Sequence, residues 1–287
     1  MTFRLSKLHG LGNDFLVLLT DDASLAADRS AWEERARHWC DRHRGIGADG
    51  LILGVRGEPD ADLVMHLYNA DGSRAEMSGN GIRCLAHAET RRRGKFGGRL
   101  SIGTDGGIRQ IDIEPDPSDL LGILASVDMG AGGEGPEADQ EISEQWKVFM
   151  LDPVRRLSAG FEFVQYATYD FGNPHLVIQV EEPDWVDMAI AGEAQASAYS
   201  NGINVHVMAP TPGENDAITV HHWERGVGVT EACGTGACAA ALAAYEWQLT
   251  NDRVTVHMPG GDADVTVGDT CVLRGPSVFI ADVEVPS

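Results

Sequence analysis

The sequence predicts an α/β (α+β) protein made of two similarly folded halves. A glycine-flanked segment occurs twice, at residues 76–81 (EMSGNG) and 231–236 (EACGTG), and each copy opens a stretch that reads as a helix. A second pair of segments, residues 12–18 (GNDFLVL) and 172–178 (GNPHLVI), repeats in the same order at nearly the same spacing. The 287 residues suffice for two domains of about 100 to 150 residues each. We therefore expect two like helix ends, one from each half, at a single cleft.

The first half alternates strands and helices. Residues 3–8 and 15–19 read as strands around a glycine-rich turn, and residues 30–43 read as a helix with Ser30 as its N-cap. Strands at 51–55 and 63–68 follow, then a turn at 69–73 and a helix after Gly79. That helix is expected to end at the arginines 91–93, just before Gly94, because cations favour the negative end of the helix dipole and glycine favours the C-cap. Short strands are predicted at 100–103 and 108–114.

Residues 115–145 are rich in proline, glycine and acidic residues, so we interpret them as the crossover into the second half. The second half repeats the alternation, with an alanine-rich helix predicted from Gly236. Its predicted strands are residues 161–169, 176–180, 204–208, 218–223, 254–258, 265–267, 270–273 and 278–285.

Composition excludes several classes of protein. A net charge of −22 argues against nucleic acid as a partner, because such binding depends on clustered lysine and arginine. No apolar run approaches 18 residues and no signal peptide is recognisable, so we expect a cytoplasmic protein without a membrane span. Five cysteines form an odd set without a Cys-x-x-Cys pair, which is typical of reduced thiols. The adjacent His221 and His222 point to opposite faces of a strand, so no metal site is expected.

The second copy of the repeat places a thiol at a helix end. Cys233 precedes residues 234–236 (GTG), with Thr235 as the expected N-cap. A helix N-terminus favours anions, so the pKa of this thiol is expected to be lowered and the same end is suited to bind an α-carboxylate. We interpret Cys84 and Cys238 as core residues.

Four segments resemble the diaminopimelate epimerase family: residues 7–15 (KLHGLGNDF), 69–73 (NADGS), 172–175 (GNPH), and 224–226 (ERG) through 232–237 (ACGTGA). The resemblance implies interconversion of LL- and meso-diaminopimelate, on the route to lysine and peptidoglycan, by two-base transfer of an α-proton. It also implies a homodimer without a cofactor, and the three lysines offer no candidate with a motif for pyridoxal phosphate. Each half would be a curved, mainly antiparallel sheet around a central helix, with the active site in the cleft between them. The last segment would return to the first half, which gives domains at 1–117 plus 276–287 and at 118–275.

The resemblance also assigns residues. The catalytic positions are Cys233, Ser78, His175 and Glu224, of which the last two assist the proton transfers. The substrate-binding positions are Asn13, Asn69, Gly79, Asn80, Asn173, Asn204, Glu224, Arg225, Gly234 and Thr235. Amide oxygens, backbone N–H groups and one arginine are the groups that a zwitterion with two amino-acid ends requires. Arg225 would bind the distal carboxylate.

One position departs from the family, because Ser78 stands where the first catalytic cysteine is found. A hydroxyl is far less acidic than a thiol and is a poor base near neutral pH without an activating partner. Three explanations are open: an engineered substitution, a natural variant in which Ser78 relays the proton, or a changed reaction. Two other functions therefore stand beside the epimerase, namely a racemase or dehydratase of the proline-racemase type and an inactive amino-acid-binding homologue.

Overall fold

The computed structural model describes residues 2–57, 60–75, 77–139 and 164–286. The chain divides into two compact units, Met1–Asp128 with Arg274–Ser287 and Met129–Leu273. We call these unit 1 and unit 2. Glu76, residues 140–145 of the predicted crossover and residues 161–163 of a predicted strand lie outside the described residues.

Strands dominate both units. In unit 1 they are β1 (Thr2–Gly10), β2 (Asn13–Thr20), β3 (Gly50–Arg56), β4 (Leu63–Asn69), β5 (Arg74–Ala75), β6 (Gly98–Thr104), β7 (Gly107–Pro115) and β8 (Gly122–Asp128). In unit 2 they are β9 (Gly133–Glu134), β10 (Gln165–Asp170), β11 (Pro174–Gln179), β12 (Asn204–Pro210), β13 (Ala217–Glu224), β14 (Gly228–Thr230), β15 (Arg253–Met258) and β16 (Gly261–Val267). The last strand, β17 (Cys271–Pro286), begins in unit 2 and continues through unit 1.

Among the described residues, the α-helices are α1 (Arg29–Trp39), α2 (Gly79–Arg93), α3 (Met188–Ala196) and α4 (Gly234–Glu246), with short 3-10 segments at Ala23–Ala27 and Pro183–Trp185. None of the helices in the described part of the chain is long and apolar enough to span a membrane.

The sheet of unit 1 closes on itself around α2. Strands β1 to β4 pair in sequence, with β2 and β3 parallel; β4 then pairs in parallel with β6, and β6, β7 and β8 form an antiparallel meander. The C-terminal strand β17 pairs with both β8 and β1, which completes the ring. All residues of α2 from Gly79 to Thr90 are buried, so the helix is the core of this unit.

The end of α2 agrees with its sequence. Gly94 is the C-cap and has a φ of 62°, the left-handed region that glycine adopts without strain. The arginines before it have a second role, because Arg92 and Arg93 contact the buried carboxylate of Glu89 at 2.7 and 2.6 Å. The buried carboxylate of Glu89 is thus paired by two arginines of its own helix.

Unit 2 repeats the plan around α4. Strands β9, β10 and β11 are antiparallel, β11 and β12 are parallel, and β12 and β13 are antiparallel. Strand β13 then pairs with β14 and, in parallel, with β15, which pairs with β16. The alanine-rich α4 packs on β11, β12, β13 and β16, because small side chains allow a helix to approach a sheet closely. The predicted α/β class and the two central helices are confirmed.

Three local predictions are corrected. The N-cap of α1 is Asp28, not Ser30, since the Asp28 carboxylate accepts a hydrogen bond from the Ala31 N–H at 3.2 Å. The helix ends at Trp39, four residues before the predicted end at 43. Residues 115–145 include β8, which pairs with β7 and belongs to unit 1, so the structural division follows Asp128 and not residue 117. The sequence also missed α3, because its apolar residues, mostly small, do not recur with the period of a helix.

Candidate active site

The two copies of the repeated segment form equivalent helix starts. Ser78 is the N-cap of α2, and its Oγ accepts a hydrogen bond from the Gly81 N–H at 3.1 Å. Cys233 is the N-cap of α4, and its Sγ accepts from the Gly236 N–H at 3.4 Å. Both residues have extended backbones, so each helix begins at the following glycine, Gly79 or Gly234. The chain therefore places a hydroxyl and a thiol at matching points of the two units.

The predicted N-cap of α4 is wrong. Thr235 is the second residue of the helix, and its Oγ1 lies 3.6 Å from the Sγ of Cys233. The cap is the preceding cysteine because its backbone is extended and its sulfur reaches the N–H of the third helical residue.

The prediction of a lowered pKa for Cys233 is also corrected. The side chain is only 5% exposed. Burial raises the pKa of the Cys233 thiol well above its ordinary value, the carboxylate of Glu224 raises it further, and the hydrogen bonds from Thr235 and Gly236 oppose this only in part. The effect of the helix N-terminus is thus outweighed by desolvation and by a neighbouring negative charge. The thiol is protonated at neutral pH.

The carboxylate of Glu224 interacts directly with this thiol. Glu224 ends β13, and its Oε1 accepts a hydrogen bond from the Thr230 hydroxyl at 2.7 Å, which orients the carboxylate. Its charge and its hydrogen bond to the thiol both favour the protonated form of Cys233. Glu224 is therefore suited to receive the proton of Cys233 when the thiolate is needed.

Alkylation kinetics test this electrostatic arrangement. Because the pKa of Cys233 is raised, we expect iodoacetamide to modify it slowly at pH 7, with a rate that still increases at pH values above the ordinary titration range of a thiol. Glu224→Gln removes the neighbouring charge and should speed alkylation at fixed pH by about threefold to tenfold. Mass spectrometry of the peptide that contains Cys233 gives the rate. Glu231→Gln, which removes an exposed carboxylate two residues from the thiol, is the matched control; equal rates in the two variants would refute the role of Glu224.

Two of the predicted substrate-binding amides in unit 1 belong to a directed network. Arg83 Nη2 donates to Asn80 Oδ1 at 2.6 Å, Asn80 Nδ2 donates to Asn13 Oδ1 at 3.2 Å, and Asn13 Nδ2 donates to Asp49 Oδ2 at 2.8 Å. A guanidinium only donates and a carboxylate only accepts, so the two ends of the chain fix the orientation of both amides. Asn13 and Asn80 are thus brought together with defined polarity.

Sequence reasoning missed the two residues that end this network. Arg83 is fully buried, and its Nε also donates to the carbonyl of Pro276 at 3.3 Å. Arg83 interrupts the apolar run of residues 82–86, which was a visible signal, since a buried charge requires dedicated partners. Asp49 gave no such signal, because only the fold brings it next to Asn13. The third amide, Asn69, is the last residue of β4, and its Nδ2 donates to Ser73 Oγ at 3.0 Å.

In unit 2, the side chain of Asn204 is hydrogen-bonded to the backbone of Arg225. Asn204 Oδ1 accepts from the backbone N–H of Arg225 at 3.0 Å, and its Nδ2 donates to the carbonyl of Pro174 at 3.0 Å. The exposed Arg225 side chain donates from Nη1 to the carbonyl of Asn201 at 2.9 Å. It also lies across Gly202, where a Cβ would approach Arg225 Cδ to 2.9 Å. Asn204 therefore orients the chain that carries Arg225.

His175 and Asn173 are adjacent in space. His175 Nε2 lies 2.9 Å from Asn173 Oδ1, and its Nδ1 lies 2.8 Å from Nε2 of His206. The imidazole is fully buried, and burial lowers the pKa of His175 to about 3. It is neutral at physiological pH. His206 was not among the predicted site residues.

Comparison with known proteins gives consistent results. The family model described as diaminopimelate epimerase matches residues 5–132 and 167–280. A diaminopimelate epimerase from Heliobacterium modesticaldum is 35% identical over an alignment of 299 residues, gaps included, that covers 98% of this chain and 98% of that protein. A solved structure of a phenazine biosynthesis protein of the PhzF family, from Bacillus anthracis, matches with a TM-score of 0.72 at 16% identity and covers 100% of both chains. A hydroxyproline epimerase from Agrobacterium vitis matches with a TM-score of 0.69 at 14% identity, over 99% of this chain and 92% of that one. The two structural likenesses concern the fold alone.

Proposed function

The chain belongs to the diaminopimelate epimerase family, and from that premise we propose how its residues interconvert LL- and meso-diaminopimelate. It is an isomerase of the lysine pathway. The observation that carries the mechanism is the pair of matching N-caps, Ser78 and Cys233, each followed by a helix that begins with glycine. Inversion at an α-carbon without a cofactor needs a base on one face and an acid on the other, and these two groups are our candidates.

The helix starts have a second role in this proposal. Removal of an α-proton places negative charge on the α-carbon and its carboxylate. Backbone N–H groups at a helix N-terminus stabilise such charge as it develops, because they are already oriented toward it. The glycines at 79 and 234 leave the backbone accessible to the carboxylate.

On the Cys233 face, we assign the thiol to deliver or remove the proton. As an acid, its S–H bond breaks as the new C–H bond forms, and the thiolate is left at the end of α4. As a base, it first passes its proton to Glu224 and then takes the α-proton of the substrate. The raised pKa of the Cys233 thiol favours the acid role in the resting protein. His175 is neutral at pH 7, so it contributes no positive charge to the site and acts only through its hydrogen bonds.

On the Ser78 face, we assign the slow step. The hydroxyl occupies the N-cap as the thiol of Cys233 does, but its much weaker acidity leaves little of the reactive anion near neutral pH. Exchange of the α-proton with solvent on the Cys233 face should therefore be faster than net epimerisation.

We further propose a cytoplasmic homodimer. The dimer is what the sequence resemblance implies, and the five cysteines, all free and buried, suit a reducing compartment. Light scattering should give twice the chain mass of 30.8 kDa, and a monomer would refute this part of the proposal. A reaction of the proline-racemase type and a purely binding function are not favoured, because the matches to diaminopimelate epimerases extend along nearly the whole chain.

The function is tested by incubating LL- and meso-diaminopimelate separately with the protein in D2O and following both isomers by NMR. Deuterium should appear at the α-carbon faster than the isomers interconvert, for the reason given above. Thermal stabilisation by diaminopimelate without any deuterium uptake would instead indicate a binding protein.

The same assay measures substrate specificity through Arg225. If its guanidinium binds the distal carboxylate, Arg225→Ala should raise KM for diaminopimelate by about tenfold to a hundredfold and change kcat much less, because the contact lies away from the reacting carbon. Arg99→Ala removes an exposed arginine that pairs with Asp112 on the surface and is the matched control. An unchanged KM in Arg225→Ala would favour a substrate without a second carboxylate.

A further inference from the structure

Unit 2 contains three buried histidines on neighbouring strands, His175 on β11, His206 on β12 and His222 on β13. None is more than 1% exposed. His206 lies directly opposite His222 in the antiparallel ladder, and His175 pairs with Asn204, two residues before His206. Residues two apart share a face of a strand, so the three imidazoles lie in a row across the sheet.

The three rings are joined by hydrogen bonds. His175 Nδ1 and His206 Nε2 are 2.8 Å apart, and His206 Nδ1 and His222 Nδ1 are also 2.8 Å apart. Asn173 Oδ1, 2.9 Å from His175 Nε2, ends the row on one side. Each of these three contacts requires one proton between its two atoms.

Counting protons fixes their direction. Burial is the main cause that lowers the pKa of all three rings. Neighbouring basic groups lower each pKa further: His222 and Arg225 act on His175, His175 acts on His206, and His206 and His221 act on His222. All three rings are then neutral and carry one proton each. A proton on His222 Nε2 would be buried without an acceptor, so His222 donates from Nδ1, His206 donates from Nε2, and His175 donates from Nε2 to Asn173. The remaining lone pair is that of His222 Nε2, a buried atom with no hydrogen-bond partner among the described residues.

The row also touches the helix that carries the thiol. A Cβ at Gly236 would lie 2.4 Å from Cε1 of His206, so the first turn of α4 packs directly on this ring. Within the described residues, no cluster of histidine, cysteine or carboxylate side chains has the geometry to hold a metal. Hydrogen bonding along the row therefore accounts for the arrangement of the rings.

We propose that His206 and His222 are positioning residues that hold His175 with its proton on Nε2 and thereby fix the polarity of Asn173. The proposal rests on the proposed function, in which Asn173 binds substrate. With its Oδ1 accepting from His175, Asn173 offers Nδ2–H groups to a ligand, and such donors suit a carboxylate and not an ammonium group. The row thus determines which end of the zwitterion this amide recognises.

The direct test is 15N NMR of the histidine rings, since a protonated and a bare ring nitrogen have well-separated shifts. In the unaltered protein at pH 7, His175, assigned with a His175→Gln variant, should have a protonated Nε2 and a bare Nδ1. Scalar coupling across both N–H···N contacts should also be detected. A protonated Nδ1 on His175 would overturn the proposal, and this result needs no variant of the row to fold.

Variants connect the tautomer to binding. His206→Gln can still donate to His175 and accept from His222, so it should keep the Nε2–H form. His206→Leu removes both contacts and should yield a mixture of tautomers and a KM for diaminopimelate raised about tenfold. His221→Gln, on the opposite face of β13 and paired with the exposed Asp184, is the matched control and should change neither. A His206→Leu variant with the tautomer and KM of the unaltered protein would refute the positioning role.

The kinetic measurements are made in a Ser78→Cys background, where turnover is expected to be fast enough to compare variants. Absence of deuterium uptake in every variant, including the background itself, would count against the proposed function, while the tautomer of His175 would still be read by NMR. Uptake that is unaffected by His206→Leu would count against this inference alone. The two failures are therefore distinguishable.

Discussion

Replacing Ser78 with cysteine is expected to raise the rate of diaminopimelate epimerisation by about 10²- to 10⁴-fold. The gain comes from acidity, because a thiol supplies a reactive anion far more readily than a hydroxyl does. The geometry of the helix start favours this substitution. The Oγ of Ser78 accepts from the Gly81 N–H at 3.1 Å, and at the matching position of α4 the Sγ of Cys233 accepts from the Gly236 N–H at 3.4 Å. The larger sulfur should fit with small adjustments of Ile52, which lies near Gly81.

NMR in D2O measures this gain as the ratio of interconversion rates in the two proteins. Ser30→Cys is the matched control, since Ser30 is also at the start of a helix of unit 1 but is exposed and remote from the repeated segment. Its rate should equal that of the unaltered protein. If Ser78→Cys is no faster, either Ser78 already relays the proton or the first face is served by another group.

The duplication was readable in the sequence, and it located the two central helices because each repeat marks a helix start. Glycine after an N-cap is a local signal, and local signals survive without knowledge of the fold. The first residues of α2 and α4, Gly79 and Gly234, therefore follow from the sequence to within two residues. The roles of the predicted site residues remain predictions.

The electrostatics of the site were not readable in the same way. The pKa of Cys233 depends on its burial and on Glu224, which reaches the thiol only because β13 ends beside α4. A rule based on the helix terminus alone predicted a lowered pKa for Cys233, which is the wrong direction. Long-range partners such as Asp49, 36 residues from Asn13, are likewise fixed by tertiary structure.

The histidine row shows the same limit. His206 and His222 stand on two of the predicted strands, residues 204–208 and 218–223. Which faces meet depends on the register between β11, β12 and β13, and the sequence does not encode this register locally. The contacts at 2.8 Å appear only when the parallel and antiparallel ladders are combined.

Removing the thiol should have the opposite effect to adding one. Cys233→Ala is expected to reduce deuterium uptake from D2O by at least about 10³-fold in the isomer whose α-proton faces Cys233, since neither helix start would then carry a thiol. The loss of one N-cap acceptor costs about 1 kcal/mol of folding stability, so the protein should remain folded. Cys238→Ala removes a second buried thiol from the same alanine-rich helix and is the matched control, with uptake expected to be unchanged.

A double variant, Ser78→Cys with Cys233→Ala, shows whether that loss comes from missing chemistry at Cys233 or from a structural role of its N-cap. If Cys233 and a cysteine at 78 act on opposite faces of one carbon, Ser78→Cys with Cys233→Ala should exchange the α-proton of one isomer only and epimerise neither, because a single thiol cannot supply both base and acid. Ser78→Cys alone should exchange and interconvert both isomers. Net epimerisation by the double variant would mean that a residue other than Cys233 serves the second face, and the matching N-caps would then have a structural role only.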